Sequence, residues 1–172
     1  MTYQARTVLD DCRVALMLLE EDVDDDKWRV HWAAAVALIR AVGHVLHKVD
    51  AKQNKVASDV IRQAYSRWQT NREEHIIFHE FIEKERNNLL KEYRSEVHPL
   101  GEVYIAIEAI AKPVNGGDAV PLREVLSLDE NIYRPMVEGY FEGNDARDVL
   151  TEAIEWWESE LNLIDADIAN AT

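Results

Sequence analysis

The 172 residues carry a formal charge of −14, six glycines, four prolines and one cysteine, with 47% apolar residues. That length supports one well-buried core and is short for two ordinary domains, and the composition excludes a disordered chain. The negative charge argues against a general nucleic-acid-binding surface, which needs many cations to displace phosphate counterions.

No window approaches eighteen uninterrupted apolar residues, and Met1 to Arg6 run into an amphipathic pattern rather than an apolar leader, which points to a cytoplasmic protein with no membrane partner. Cys12 stands alone at apolar helical spacing, so no intramolecular disulfide is expected and a reducing compartment is.

Val8, Leu9, Cys12, Ala15, Leu16, Leu19 and Val23 recur at three- and four-residue steps and predict a first helix that ends at Asp24-Asp25-Asp26. Those aspartates suit the positive end of a second helix carrying Trp28, Trp32, Val36, Ile39, Val42, Leu46 and Val49. Between Ala33 and Val42 this pattern is apolar nearly all round, broken by Arg40, so the second helix is the expected centre of the fold. Gly43 permits a neighbour to approach it closely. Val56, Val60, Ile61, Ala64, Tyr65 and Trp68 mark a third helix, and Asn71 separates it from a fourth predicted from about Arg72 to Val97, with Pro99 as the stop.

Val103 to Ile107 is rich in strand formers, and Asn115-Gly116-Gly117-Asp118 is a turn signal ahead of Val120 to Leu128, so a hairpin or irregular flap is expected there. Helical continuation from Gly101 to Lys112 is the competing reading. Asn144 or Asp145 can cap a last helix burying Leu150, Ala153, Ile154, Trp157, Leu161, Ile164 and Ile168. The fold expected is a mainly α, single domain over 1–172, an antiparallel bundle of about five long helices with a short irregular or β-hairpin insertion near 100–128.

The chemistry concentrates in Arg86-Asn87-Asn88-Leu89-Leu90-Lys91-Glu92-Tyr93. On a helix, Phe78, Ile82, Leu89 and Tyr93 share one face, and Glu85 and Arg86 lie on or beside it. A buried Glu or Arg costs several kcal/mol unless paired, so two charges in an apolar stripe mean a structural ion pair or a site. Arg86-Asn87-x3-Lys91-x-Tyr93 resembles the Arg-x4-His-x-Tyr motif of the HEPN superfamily, in particular the toxins paired with a minimal nucleotidyltransferase. The resemblance implies a helical homodimer whose motifs line an RNA-cleaving cleft, without metal or other cofactor. By that resemblance Arg86 would contact phosphate, Asn87 would orient the site, and Tyr93 would be the position that a partner nucleotidyltransferase modifies. Lys91 stands where the family has histidine. Imidazole exchanges protons near neutral pH, whereas lysine stays a cation unless desolvation lowers its pKa by about three units.

Arg40 with His47, or Arg94 with His98, are alternative arginine and histidine pairs, and the six basic residues between Lys48 and Arg72 against Asp50 and Asp59 form a local basic stretch. His75, His79 and Glu83 share a helix face, as metal ligands can, and His44 and His47 make a second half-site, although no Glu-x-x-His accompanies either. Trp156 and Trp157 are adjacent, so one is expected to face outward and mark a homodimer interface. The readings carried forward are an RNA-binding or degenerate ribonuclease of a toxin–antitoxin or defence system, a noncatalytic dimeric interaction module, and a metal-binding helical enzyme.

Overall fold

The computed structural model describes residues 1–21, 24–85, 97, 104–112, 116, 118–127 and 131–171. The first apolar stripe forms α1 (Tyr3–Glu21), which buries Ala5, Leu9, Cys12, Ala15 and Leu19 at three- and four-residue steps. Val23 lies outside the described residues. The start of α1 is held by carboxylates from far along the chain, because its first N–H groups have no intrahelical acceptor. Asp50, itself buried, accepts from the backbone N–H of Gln4 at 3.2 Å and of Ala5 at 2.9 Å. Asp165 accepts from Thr2 N–H at 2.8 Å and from the Thr2 hydroxyl at 2.9 Å, and it pairs with Arg6.

Asp24 caps α2 (Asp25–Lys48), taking the N–H groups of Asp26 and Lys27 at 3.1 Å each. This is the helix start expected from the aspartate run. By length and composition α2 is apolar enough to cross a membrane, while its buried residues Trp28, Trp32, Val36, Ile39, Val42 and Leu46 fall on one face. It packs on α1, on the two later helices and on the π-helical segment, and so occupies the centre. A 3-10 turn (Asp50–Lys52) leads into α3 (Lys55–Thr70), capped by the Asn54 side chain on Ala57 N–H at 2.8 Å and ended at Asn71.

Of the fourth helix expected from about Arg72 to Val97, residues 76–85 are helical and 86–96 lie outside the described residues. Ile77–Glu83 is π-helical, and its wider turn buries the consecutive residues Ile77, Phe78 and His79 as well as Phe81 and Ile82. Val97, the predicted helix end, makes an isolated antiparallel bridge with Met136. Pro99 lies outside the described residues.

The insertion is a β-hairpin, β1 (Tyr104–Ala111) antiparallel to β2 (Val120–Ser127), with Tyr104 opposite Ser127 and Ala111 opposite Val120. Helical continuation through this stretch is overturned: alternating β-branched residues favour the ladder. Among the described residues the helices pack on one another and the strands on each other, with no substantial contact between the two groups.

The chain then returns through 131–145 to α4 (Ala146–Asn170), whose N-cap is Asp145 and whose buried stripe contains all seven predicted residues. Asn131, at φ 64, donates from its side chain to the Leu19 and Glu20 carbonyls at the end of α1, at 2.9 and 3.2 Å. Arg147 binds Asp145 and the Asn131 and Ile132 carbonyls at 2.7 to 3.0 Å, and reaches Glu20 at 3.2 Å. Its donors are consumed in tying the two helix ends together. Burial works against ionisation of Asp145, yet hydrogen bonds from Arg147 and from the Arg134 and Arg147 backbones outweigh it and hold the carboxyl below its ordinary range. Arg134, buried, lies 4.9 Å above the Trp28 ring, which stacks on Trp32 at 5.6 Å. The chain is thus mainly helical with a small two-stranded antiparallel sheet.

Candidate functional site

Arg86, Asn87, Lys91 and Tyr93 lie outside the described residues, as do Arg94 and His98. Glu85, the neighbour of the motif, is buried, and its Oε1 accepts from Trp32 Nε1 at 3.2 Å. The charge expected to enter the apolar stripe therefore does so.

A cavity of about 280 Å³ opens between α2 and α3. Arg40, Gly43, His44 and His47 reach it from one stripe of α2, at positions i, i+3, i+4 and i+7, and Ile61, Tyr65 and Trp68 reach it from one stripe of α3. Phe78 and Trp157 complete its apolar lining. The aromatic rings are mutually fixed: Trp68 meets Trp157 edge-on at 5.4 Å and Phe78 at 5.4 Å. Trp157 is locked further by donating from Nε1 to the Ile39 carbonyl at 3.0 Å. Gly43 is what admits it, because a Cβ at that position would stand 2.8 Å from Trp157 Cη2.

The polar mouth adjoins a run of charged and ring contacts leading inward. Arg40 lies 3.5 Å from Glu83 Oε1, Glu83 Oε2 lies 3.8 Å from His79 Nδ1, and His79 Nε2 donates to the Trp68 carbonyl at 3.0 Å. The pair with Glu83 is long and about a third exposed on both sides, so the guanidinium stays available to an incoming anion. His44 and His47 are exposed. Lys48, Lys52 and Lys55, at the corner where α2 turns into α3, are exposed and have no ion pair among the described residues. Two cations of the predicted basic stretch are committed elsewhere, Arg62 to Asp59 at 3.5 Å and Arg67 to Glu160 at 2.5 Å.

Beneath the aromatic floor, Glu160 is buried and accepts from Arg67 and from Trp68 Nε1 at 2.8 Å. His75 Nδ1 accepts from Trp156 Nε1 at 3.1 Å, so the ring proton sits on Nε2, which is buried with no hydrogen-bond partner among the described residues. Desolvation pushes the His75 pKa down, and the Arg67 charge adds to this against the opposing pull of Glu160. His75 Nδ1 and His79 Nε2 are thus spent on packing partners. Among the described residues no three His, Cys, Asp or Glu side chains converge to hold a metal ion. Cys12 is buried, and desolvation raises its thiol to about 12, which makes it inert.

Trp156 does not face away from the core. It is half-buried against Phe78 at 5.3 Å and Trp68 at 5.2 Å, so it gives no outward apolar anchor. The Arg40 and His47 pairing was visible in the sequence as helical spacing, whereas the aromatic wall facing it comes from α3, the π-helical segment and α4. Comparison with protein-family models, with curated proteins and with solved structures finds no match to this chain.

Proposed function

We propose that the cavity between α2 and α3 binds single-stranded RNA and supports metal-independent cleavage, the activity implied by the HEPN-like motif. The observation that carries this reading is the Arg40, His44 and His47 stripe at the mouth of an aromatic-lined cavity. An unstacked base gains from aromatic contact irrespective of its identity, and the adjacent phosphate gains from Arg40 and from the exposed lysines at the α2–α3 corner. A net charge of −14 restricts such binding to a local contact of few phosphates.

The histidines supply what Lys91 lacks. One imidazole accepts the proton of the ribose 2′-hydroxyl as its oxygen attacks the adjacent phosphorus, and the bond from phosphorus to the 5′-oxygen breaks. The other imidazole, protonated, gives its proton to that leaving oxygen, while Arg40 stabilises the charge on the phosphoryl oxygens. The test is cleavage and binding of labelled single-stranded RNA in the presence of a chelator. Wild type is expected to cut. Arg40→Ala should weaken binding and cleavage by about tenfold or more, and His47→Ala or His44→Ala should abolish cutting while leaving binding. Wild type that neither binds nor cuts overturns the reading, and cutting that is lost in Arg86→Ala but not in Arg40→Ala moves the site to the motif.

A second reading, a noncatalytic interaction module, draws on the buried Glu85, which accepts from Trp32 Nε1 inside the core, and takes its sequence neighbour Arg86 as part of the same packing arrangement. On this reading Arg86→Ala lowers the melting temperature by several degrees and leaves RNA handling unchanged.

A further inference from the structure

The cavity between α2 and α3 is graded in polarity from rim to floor. The floor is built from Leu46, Ile61, Phe78 and Trp157, all buried, with Trp68 beside them. Among the described residues no side-chain donor or acceptor on that floor is free. The Trp68 indole N–H is spent on Glu160 at 2.8 Å, and the Trp157 indole N–H on the Ile39 carbonyl at 3.0 Å. Trp68 also fixes the Phe78 and Trp157 rings, each at 5.4 Å, so the floor is formed before anything enters it. Polar groups gather at the rim, where Arg40 is the one permanently charged side chain and no carboxylate belongs to the lining. Glu83 reaches Arg40 from outside the lining, at 3.5 Å.

We infer that this cavity is a binding site for a small aromatic monocarboxylic acid, with the ring on the floor and the carboxylate on Arg40. At about 280 Å³ it falls at the lower end of the ~300–1,000 Å³ of small-molecule sites, which suits one ring with a short acid arm. A planar ring meets the fixed Phe78, Trp68 and Trp157 rings edge to face, without the rotamer freedom that an acyl chain loses on ordering. A nucleobase brings polar edge groups that the floor leaves unpaired, each at roughly tenfold in affinity. An RNA base therefore stays at the mouth against Tyr65, which is 45% exposed, and the floor is left for a body without a polar edge. The single charge at the rim matches a monoanion, and the guanidinium fork takes both carboxylate oxygens in exchange for its long contact with Glu83. RNA phosphate needs the same guanidinium, so the acid and RNA exclude one another. That exclusion rests on the RNA reading proposed above, whereas binding of the acid does not.

The test is isothermal titration calorimetry of the whole chain with phenylacetate, its neutral analogue phenylacetamide, hexanoate and acetate. Phenylacetate is expected to bind once per chain with a dissociation constant below ~1 mM and to perturb tryptophan fluorescence, since Trp68 and Trp157 line the cavity. It should be preferred about tenfold or more over phenylacetamide and over hexanoate, with acetate silent. Arg40→Gln should lower phenylacetate affinity to that of phenylacetamide and leave the amide's own affinity unchanged. Ile61→Phe, which fills the floor, should weaken both by about tenfold or more; if circular dichroism shows that this variant unfolds, the Arg40 comparison decides alone. Equal affinity of wild type for acid and amide, an Arg40→Gln chain that still prefers the acid, hexanoate bound as tightly as phenylacetate, or no saturable binding up to ~10 mM overturns the inference. Saturating phenylacetate should also release labelled RNA. RNA that stays bound in its presence overturns the exclusion, and a chain that binds the acid but neither binds nor cuts RNA overturns the RNA reading while the acid site stands.

Discussion

Gly43→Ala sets two effects of opposite sign against each other, and the structure decides between them. Within a helix, replacing glycine by alanine gains roughly 1 kcal/mol through the smaller entropy lost on folding. Gly43 lies well inside α2, so propensity alone predicts a more stable protein. The new methyl, however, would sit 2.8 Å from Trp157 Cη2 and 3.0 Å from Cζ2, inside van der Waals contact. Trp157 has nowhere to withdraw: it is fully buried, hydrogen-bonded to the Ile39 carbonyl, and edged by Trp68 at 5.4 Å and Trp156 at 4.8 Å. Overpacking of this kind costs about 1–3 kcal/mol, which leaves a net loss of about 1 kcal/mol after the helical gain. Urea denaturation followed by circular dichroism measures it, and a fall in melting temperature of about 2–4 °C should accompany it. Repeating the substitution in a Trp157→Phe background removes the opposing ring atoms, so there Gly43→Ala should stabilise, giving a positive coupling in the double-mutant cycle. A wild-type background in which alanine stabilises by about 1 kcal/mol would refute the close approach and the cavity wall it builds.

Glu160→Ala should cost about 2–4 kcal/mol in chemical denaturation, mainly by stranding the buried Trp68 indole N–H; Arg67 is over a third exposed and recovers part of its solvation from water. A loss below about 0.5 kcal/mol would contradict the network, on the usual scale of exposed pairs. Acidification should act in two windows. The folded His75 pKa lies below its ordinary 6.5, so as pH falls through that value the unfolded chain takes a proton that the folded chain refuses, and stability declines until folded His75 is protonated. Asp145 is depressed below 3.8, so its contribution is present above that pH and disappears as pH falls through the folded value. Stability measured against pH should therefore slope first near neutrality, and His75→Gln should flatten that first slope alone.

The elements legible in the sequence are those whose signals are local. Asp24 and Asp145 read as helix starts because a side-chain oxygen one turn from unpaired N–H groups has a partner wherever the helix goes, and both act as caps. The hairpin was readable from β-branched alternation flanking an Asn-Gly-Gly-Asp turn, and the α4 stripe from its spacing alone. The fourth helix was legible as a helix but its π-helical register was not, because Ile77-Phe78-His79 carries no local mark of an i→i+5 turn. That register is set by how many side chains the surrounding core accepts in succession.

The adjacent tryptophans misled for a related reason. Spacing puts one of them off the helix stripe, but whether that position meets solvent depends on a neighbouring helix, and Phe78 and Trp68 cover it. The candidate site divides in the same way. Arg40, His44 and His47 on one face follow from 3.6 residues per turn. The partners that turn that face into a cavity come from Tyr65, Phe78 and Trp157, up to more than a hundred residues away in the chain. By itself the sequence determined which residues share a helix face and where helices begin, since these depend on backbone geometry and nearest neighbours. The tertiary structure decided which faces meet: the indole against Gly43, the acid under Trp68, the bare faces of the hairpin. These are set by packing volume and by the desolvation of buried polar groups, which no local window contains.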